Sequence, residues 1–441
     1  MFTIPVSAEI AKLPVAEIEA TIDRVTQPMQ AGLPDTRLKA VIPLAVRCIL
    51  ATETPVIAAM SRAVSRLEAE CWAAAKRIYR FVDNERFDHE VLFDGLYAMT
   101  QANVIQEAPE DLVVAIDPVN FEKPYTEKLE GVSTVYKSTP PDVDGKKRLA
   151  RGYPAITATV VNTRVPGVCY ANWFSYQLDF ISQNTEIQQA IEQTRRLFPG
   201  YRICFVMDSG MDDQKIFAWL NQPQVEFAIP ASHLERWVEV YNERLDRWER
   251  EHLQDLVDSV PFTLTYQAAF QHAGRTHLVT LQAGTLRIRL PETQQALWVL
   301  VAYNDLEKRT LVLLTNIPLL DETTIRQVYS DWRLRGRIEH GYRFDQEQGL
   351  DVEDLRVQTL EHMKRLFALV LAAAQLVFHI MHHWPAQAVF WLRNLGGKLG
   401  LTTDRDGPYL LLRGIAMVLL SVATLSYAAI SPFPHLLFEH L

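Results

Sequence analysis

The sequence predicts an α/β fold: a mixed five-stranded sheet with helices, interrupted by a β-rich insertion and flanked by helical N- and C-terminal regions. Three observations predict it. Residues 1 to about 105 repeat apolar side chains at three- and four-residue steps. A succession of three strands, helix, strand, helix, strand then runs to about 232. Five further strand candidates crowd between about 262 and 316 before a helical pattern returns.

The chain has 441 residues, enough for two or three domains with ample core. Hydrophobic residues at 48% and charged residues at 22% are ordinary for a soluble globular protein. A net charge of −9 argues against a uniformly basic nucleic-acid binder and leaves room only for a local basic surface. Cys48, Cys71, Cys169 and Cys204 are scattered, with no CxxC pair, so neither a disulfide framework nor a zinc site is expected. The first twenty residues lack a basic region followed by an apolar core, and no signal peptide is expected.

In the N-terminal region, "KAVIPLAVRCIL" and "AAMSRAVSRLEAECWAAAKRIYRFV" carry the helical period. Lys76, Arg77 and Arg80 form a small basic turn beside Tyr79, which a solvated helix face also explains. The texture changes after "APED". "DLVVAIDP" (111–118), "GVSTVYKS" (131–138) and "AITATVVN" (155–162) read as strands. "SQNTEIQQAIEQTRRLF" (182–198) reads as a helix, "RICFVMDSG" (202–210) as a buried strand, "DDQKIFAWL" (212–220) as a helix and "VEFAI" (225–229) as a strand. That is the element order of a ribonuclease H-like core, and its first and fourth strands end in Asp117 and Asp208.

Residues 235 to 257, rich in charge and tryptophan, read as a helix. "FTLTYQAAF", "THLVTLQAG", "TLRIRL", "ALWVLVAYN" and "RTLVLLTN" read as five strands. "DETTIRQVYSDWRLRGRIEHGYRF" reads as one helix, with Asp321 and Thr323 as candidate caps, and residues 351–384 as a long helix of rising apolar content. The expected organisation is therefore 1–105 helical, 106–232 core, 233–318 insertion, 319–384 returning core helices and 385–441 helical tail. "GIAMVLLSVATLSYAAI" (414–430) is apolar over about 17 residues, the lower limit for a span. It is expected to be buried against "LFALVLAAAQLVF" (366–378), with no membrane involved.

Four arginines crowd around one glutamate in "DWRLRGRIEHGYRFDQEQGL", and at 100° per residue Trp332, Arg335, Glu339, Tyr342, Arg343 and Gln346 share one helical stripe. Pairing at i,i+4 would explain the arginines but not the aromatics on that face. Two-metal phosphodiester chemistry needs about three carboxylates converging on one point. Open α/β sheets bind ligands at carboxyl strand ends, where Asp117 and Asp208 are expected; Glu339 is placed to be the third acid. Taken singly, a strand-terminal aspartate is a common turn former and a glutamate between arginines a common solvated ion pair. The order Asp, Asp, helical Glu points to chemistry. The histidines of "HIMHH" (379–383) have no HExxH pattern or nearby acid and read as packing.

At these residues the sequence resembles the DDE transposases of bacterial insertion sequences, in particular the group with a β-rich domain inserted ahead of the glutamate. "VVAIDPVNFEKPY" is similar to that family's first-aspartate strand, "ICFVMDSGMDD" to its second, and "RIEHGYRFDQEQGL" to the segment around its glutamate. Of the group's Tyr-Arg-Glu-Lys type signature, Arg335 and Glu339 stand in register, while Trp332 holds the tyrosine position and Gln346 the lysine position.

The resemblance implies catalysis by Asp117, Asp208 and Glu339, holding two Mg²⁺ ions with Mn²⁺ as a substitute, cutting transposon ends and joining them to target DNA. It implies phosphate contacts from Arg335, supported by Arg337 or Arg343, and DNA contacts from the N-terminal helices, including Lys76, Arg77 and Arg80. It implies double-stranded DNA as partner, a homodimer in a synaptic complex, and a cytoplasmic, nucleoid-associated location in a bacterium. A structure-specific nuclease of the same fold and a catalytically idle DNA-binding descendant are the rival readings.

Overall fold

The computed structural model describes residues 13–430 apart from 66, 124–127, 138–145, 243, 273–274, 347–348 and 398–406. Six helices open the chain: α1 (Val15–Gln30), α2 (Thr36–Lys39), α3 (Val41–Thr52), α4 (Ile57–Arg62), α5 (Glu68–Val82) and α6 (His89–Glu107). The long period expected over 58–82 is split, because the chain leaves the helix after Arg62 and re-enters it at Glu68. Side-chain caps set two of the starts: Asp35 accepts from the amides of Arg37 and Leu38, and Asp88 from that of Val91.

The core follows as β1 (Leu112–Glu122), β2 (Ser133–Tyr136), β3 (Leu149–Val160), β4 (Gly167–Trp173), α7 (Gln183–Leu197), β5 (Ile203–Val206), α8 (Gln214–Leu220) and β6 (Val225–Pro230). Strands pair in the order β4, β3, β1, β5, β6, with β1, β5 and β6 parallel and β3 antiparallel to both its neighbours. This is a mixed ribonuclease H-like sheet. One expected strand changes role: 131–138 gives only the edge strand β2, and the fifth core strand is β4, which the sequence reading passed over.

The inserted block is β7 (Trp237–Asn242), β8 (Arg247–His252), α9 (Leu253–Ser259), β9 (Leu264–His272), β10 (Arg275–Arg289), β11 (Ala296–Asn304) and β12 (Arg309–Thr315). Residues 235–257 are thus mainly a hairpin and not a helix. Asn242 accepts from the amides of Arg244 and Leu245, and Asp246 takes a left-handed φ of 50°, which turns the chain back. The two strands expected on either side of Gly284 are one strand, β10. A Cβ at Gly284 would stand 2.4 Å from the Pro261 carbonyl oxygen, so glycine marks a close approach there and not a break. The block extends the core sheet: β12 pairs antiparallel with β6 through Leu313↔Pro230 and Leu314↔Ile229, and the described strands form a single twelve-stranded sheet.

Helices α10 (Glu322–Leu334) and α11 (Gly336–Asp345) return to the core, capped at the start by Asp321, which accepts from the Thr324 amide. Thr323 does not cap. The expected single helix is interrupted at Arg335, where the amides of Arg335 and Ile338 bond three residues back instead of four. A short 3₁₀ turn at Val352–Asp354 precedes α12 (Leu360–His383), α13 (Ala386–Leu395) and α14 (Pro408–Ile430).

Alternation along the strands divides the core between two faces. Leu112, Val114 and Ile116 of β1 pack with Ile187 and Ile191 of α7 and Phe217 of α8. Val113 and Ala115 point the other way, towards Ile325 and Val328 of α10 and Ile338 and Tyr342 of α11. A third cluster joins the N-terminal helices to α12 and α14 and reaches Phe121 and Trp173 of the sheet. Within the described residues, α12 and α14 are long and apolar enough to cross a membrane by length and composition. In the fold α12 is largely buried, and α14 packs on α13, α3 and α12, as expected for the tail. A Cβ on Gly414 would lie 1.9 Å from the Leu392 carbonyl oxygen, so the α13–α14 crossing depends on the missing side chain.

Candidate active site

The parallel pairing of β1 with β5 ends at Ala115↔Val206, and two residues further on lie Asp117 and Asp208. The carboxylates are therefore level with each other at the carboxyl ends of neighbouring strands, as expected. One detail differs: β1 itself runs on to Glu122, paired only with β3, and Pro118 sits in this one-sided stretch where a missing amide is tolerated. Asp208 caps the turn that follows β5, accepting from the Gly210 amide at 2.9 Å.

By alternation Asp117 shares the face of Val113 and Ala115, which α10 and α11 cover. Arg335, at the junction of those helices, binds Asp117 Oδ1 at 3.4 Å and Glu339 Oε1 at 2.5 Å. Glu339 keeps 44% of its side chain exposed, against 12% for Asp117, so the group opens to solvent on the helix side. Trp332 donates its indole N–H to the Met207 carbonyl at 3.3 Å, fastening the end of α10 beside Asp208. Tyr342 donates to the backbone carbonyl of Asp117 at 2.8 Å and meets Thr157 Oγ1. Gln346 donates to the Asn120 carbonyl at 3.1 Å.

The remaining cations are placed differently. Arg337 gives its guanidinium to the backbone carbonyls of Val161, Thr163 and Arg164, which holds α11 against the turn after β3. Arg343 is exposed on α11. Lys76, Arg77 and Arg80 are exposed on α5, which packs on α3, α4 and α12, so the structure does not gather them with the carboxylates.

Burial pushes the Asp117 carboxyl up to about 7; Arg335 opposes this, and the charges of Asp208 and Glu339 add to it. Asp117 thus feels the negative charge of both other acids from a largely dry position. Among the described residues, no three acids, histidines or cysteines surround a single point as a bound ion requires; a cation, Arg335, bridges Asp117 and Glu339 instead. As a donor set the acids suit a hard divalent ion, which prefers carboxylate oxygens and would favour the charged form of Asp117. A separate cleft of about 520 Å³, lined by Asp111, Arg202, Glu226 and Asp331, lies at the opposite, amino ends of the parallel strands, away from this group.

Residues 171–376 match the family model described as a transposase DDE domain. Over that stretch, just under half of the chain, the sequence is similar to a transposase DDE domain. The match takes in Asp208 and Glu339, and Asp117 lies ahead of it. Domains of this family normally work with divalent metal ions, in keeping with the acidic donor set. Among solved structures, a cryo-EM structure of a piggyBac transposase synaptic complex with hairpin DNA aligns at a TM-score of 0.40 and 9% identity, over 99% of this chain and 84% of that one. No curated protein matches the chain.

Around these acids, sequence reasoning missed Thr157 and the carbonyls of Asp117 and Met207 as anchoring points. Tyr342 and Trp332 carried a signal, since both fall on the stripe of Glu339. Backbone acceptors carry none.

Proposed function

We propose that the chain is a DNA transposase that cuts transposon ends and transfers the freed strand into target DNA, through Asp117, Asp208 and Glu339. The observation that carries this reading is the level placement of the two aspartates at the strand ends with Glu339 bridged to Asp117 by Arg335, around and within the DDE domain. Deprotonated, the three acids would hold two Mg²⁺ ions, with Mn²⁺ as a substitute. Ions there would supply a reactive hydroxide and stabilise the entering and leaving oxygens of phosphoryl transfer.

The chain's own groups have the following parts. Asp117 has to lose a proton held up to about 7 before it can act as a ligand. Arg335 compensates Asp117 and Glu339 in the free protein, and its fork matches a phosphate diester once DNA is present. Tyr342 and Trp332 fix the α10–α11 junction to the ends of β1 and β5, which sets the position of Glu339. Arg343 faces solvent beside it and is assigned to the DNA backbone. The reading includes double-stranded DNA as substrate, two subunits on paired ends, and work in a bacterial cytoplasm at the nucleoid.

A catalytically idle DNA-binding protein is the second reading, favoured by Gln346, which stands at the signature's lysine position and is tied to the Asn120 carbonyl. A strand-transfer assay on paired DNA ends taken from inverted repeats beside the coding sequence separates the two. Joined products support the transposase; cleavage without joining identifies a nuclease; binding with neither identifies the idle protein.

A further inference from the structure

β1 loses one of its two neighbours just before its first acid. Its odd-numbered residues bond to β3: the Val161 amide donates to the Val113 carbonyl at 2.9 Å, and the Lys123 amide to the Arg151 carbonyl at 2.8 Å. Even-numbered residues therefore turn their backbone groups to the β5 side, where the Leu112 amide donates to the Arg202 carbonyl at 2.9 Å. Pairing with β5 stops at Ala115↔Val206, while β1 continues on β3 alone to Glu122. Beyond Asp117, the backbone groups of Pro118, Asn120 and Glu122 thus face an edge with no strand beside it. Pro118 has no amide to offer there.

Two side chains take the place of the missing strand. Gln346, just past the end of α11, donates to the Asn120 carbonyl at 3.1 Å, and Glu353 accepts from the Glu122 amide at 2.8 Å. Glu353 belongs to the 3₁₀ turn at Val352–Asp354, and that turn is itself gripped from β1. The buried Lys123 donates to the carbonyls of Val352 and Glu353, each at 2.9 Å, and lies 5.1 Å from the centre of the Trp173 ring. Asp117 stands where support of β1 passes from β5 to these two side chains. Its carboxylate has to keep its place against Asp208 on β5, and constellations of this kind tolerate shifts of only about 0.5 Å.

We infer, resting on the reading of Asp117, Asp208 and Glu339 as metal-holding acids, that Gln346 and Glu353 are positioning residues for Asp117: they close the free edge of β1 and so fix the first acid against the second. At the signature's lysine position this chain carries an amide that binds its own backbone. Glu353 lies outside that signature altogether.

The test is Mn²⁺ binding by the full-length protein, read as loss of the free-ion electron paramagnetic resonance signal, at a temperature where circular dichroism shows each chain folded. Gln346→Met and Glu353→Met keep the length of the side chain and remove its bond to β1; each weakens Mn²⁺ binding about tenfold. Either variant suffices, so failure of one to fold leaves the other to decide. Glu353→Gln, which still accepts from the Glu122 amide, binds Mn²⁺ as wild type does. Equal weakening in Glu353→Gln and Glu353→Met assigns the effect to the lost charge and overturns the edge role of Glu353. Wild type that binds Mn²⁺, with both Met variants unaffected, overturns the positioning role alone. Wild type that binds no Mn²⁺ overturns the metal-holding acids of the proposed function, and the positioning role with them.

Discussion

Tyr342 donates its hydroxyl proton to the backbone carbonyl of Asp117 at 2.8 Å, so the helix that carries Glu339 is tied to the strand that carries the first acid. The ring is buried, and its hydroxyl also meets Thr157 on β3. Tyr342→Phe keeps the packing and removes both hydroxyl contacts. Stability is expected to fall by about 1 kcal/mol, while DNA cleavage falls by about ten- to a hundredfold because Glu339 loses its fixed position. Parallel thermal melts and cleavage rates check this. A rate loss no larger than the stability loss explains would remove the positioning role.

Asp117 gives a pH dependence with a defined sign. Its carboxyl is raised from 3.8 to about 7, chiefly by burial, so the metal-free fold favours the protonated form. That contribution is full below about pH 4 and is lost as pH rises towards 7. Asp117→Asn, neutral throughout, should match wild type at pH 4 and exceed it increasingly up to pH 7, by at most about 4 kcal/mol. Denaturant melts in EDTA at a series of pH values measure the difference. A difference independent of pH would contradict the raised carboxyl.

Arg365 holds the helical region to the core. Fully sequestered on α12, it donates to the carbonyls of Val82, Asn84 and Phe87 at 2.9, 2.7 and 2.6 Å and to Glu361 at 2.7 Å. Arg365→Met leaves three buried carbonyls and a carboxylate without that partner, and is expected to cost about 3–5 kcal/mol. Chemical denaturation of the full chain reads this directly, and a loss under 1 kcal/mol would show that water replaces the guanidinium.

Much of this architecture was legible in the sequence, for identifiable reasons. Asp117 and Asp208 each follow a short apolar β-branched run, and Glu339 sits on a helical stripe with Arg335, so local pattern alone placed them. β4 was not legible: it is buried nearly throughout and shows no alternation, and Pro166, Gly167 and Asn172 resemble turn residues. The β7–β8 hairpin was misread because its dense alternating charge imitates helix pairing. Its turn is set by Asn242 and by the left-handed Asp246. That the inserted strands continue the core sheet depends on β6 meeting β12, more than eighty residues apart in sequence, and no local pattern reports such a contact.

The tail makes a fourth prediction. Leu411, Leu412, Ile415, Val418 and Leu419 of α14 belong to the same buried cluster as Leu366, Leu369 and Phe367 of α12. Ending the chain ahead of Pro408 uncovers that surface, at about 25 cal/mol per Å² of apolar area, and should give an aggregating protein while the full chain remains monodisperse without detergent. Asp406, just ahead of that point, lies outside the described residues. Size-exclusion chromatography of both forms decides; a soluble, fully active truncation together with membrane partition of the full chain would make α14 an anchor.

The most direct test of the central claim is nicking of supercoiled plasmid by the full-length protein in Mg²⁺ or Mn²⁺, comparing wild type with Asp117→Asn, Asp208→Asn and Glu339→Gln. Metal-dependent nicking by wild type is predicted, reduced by more than about a hundredfold in each variant, with DNA binding retained in gel shifts. Wild-type nicking by any one of the three would contradict a single site built from all three acids.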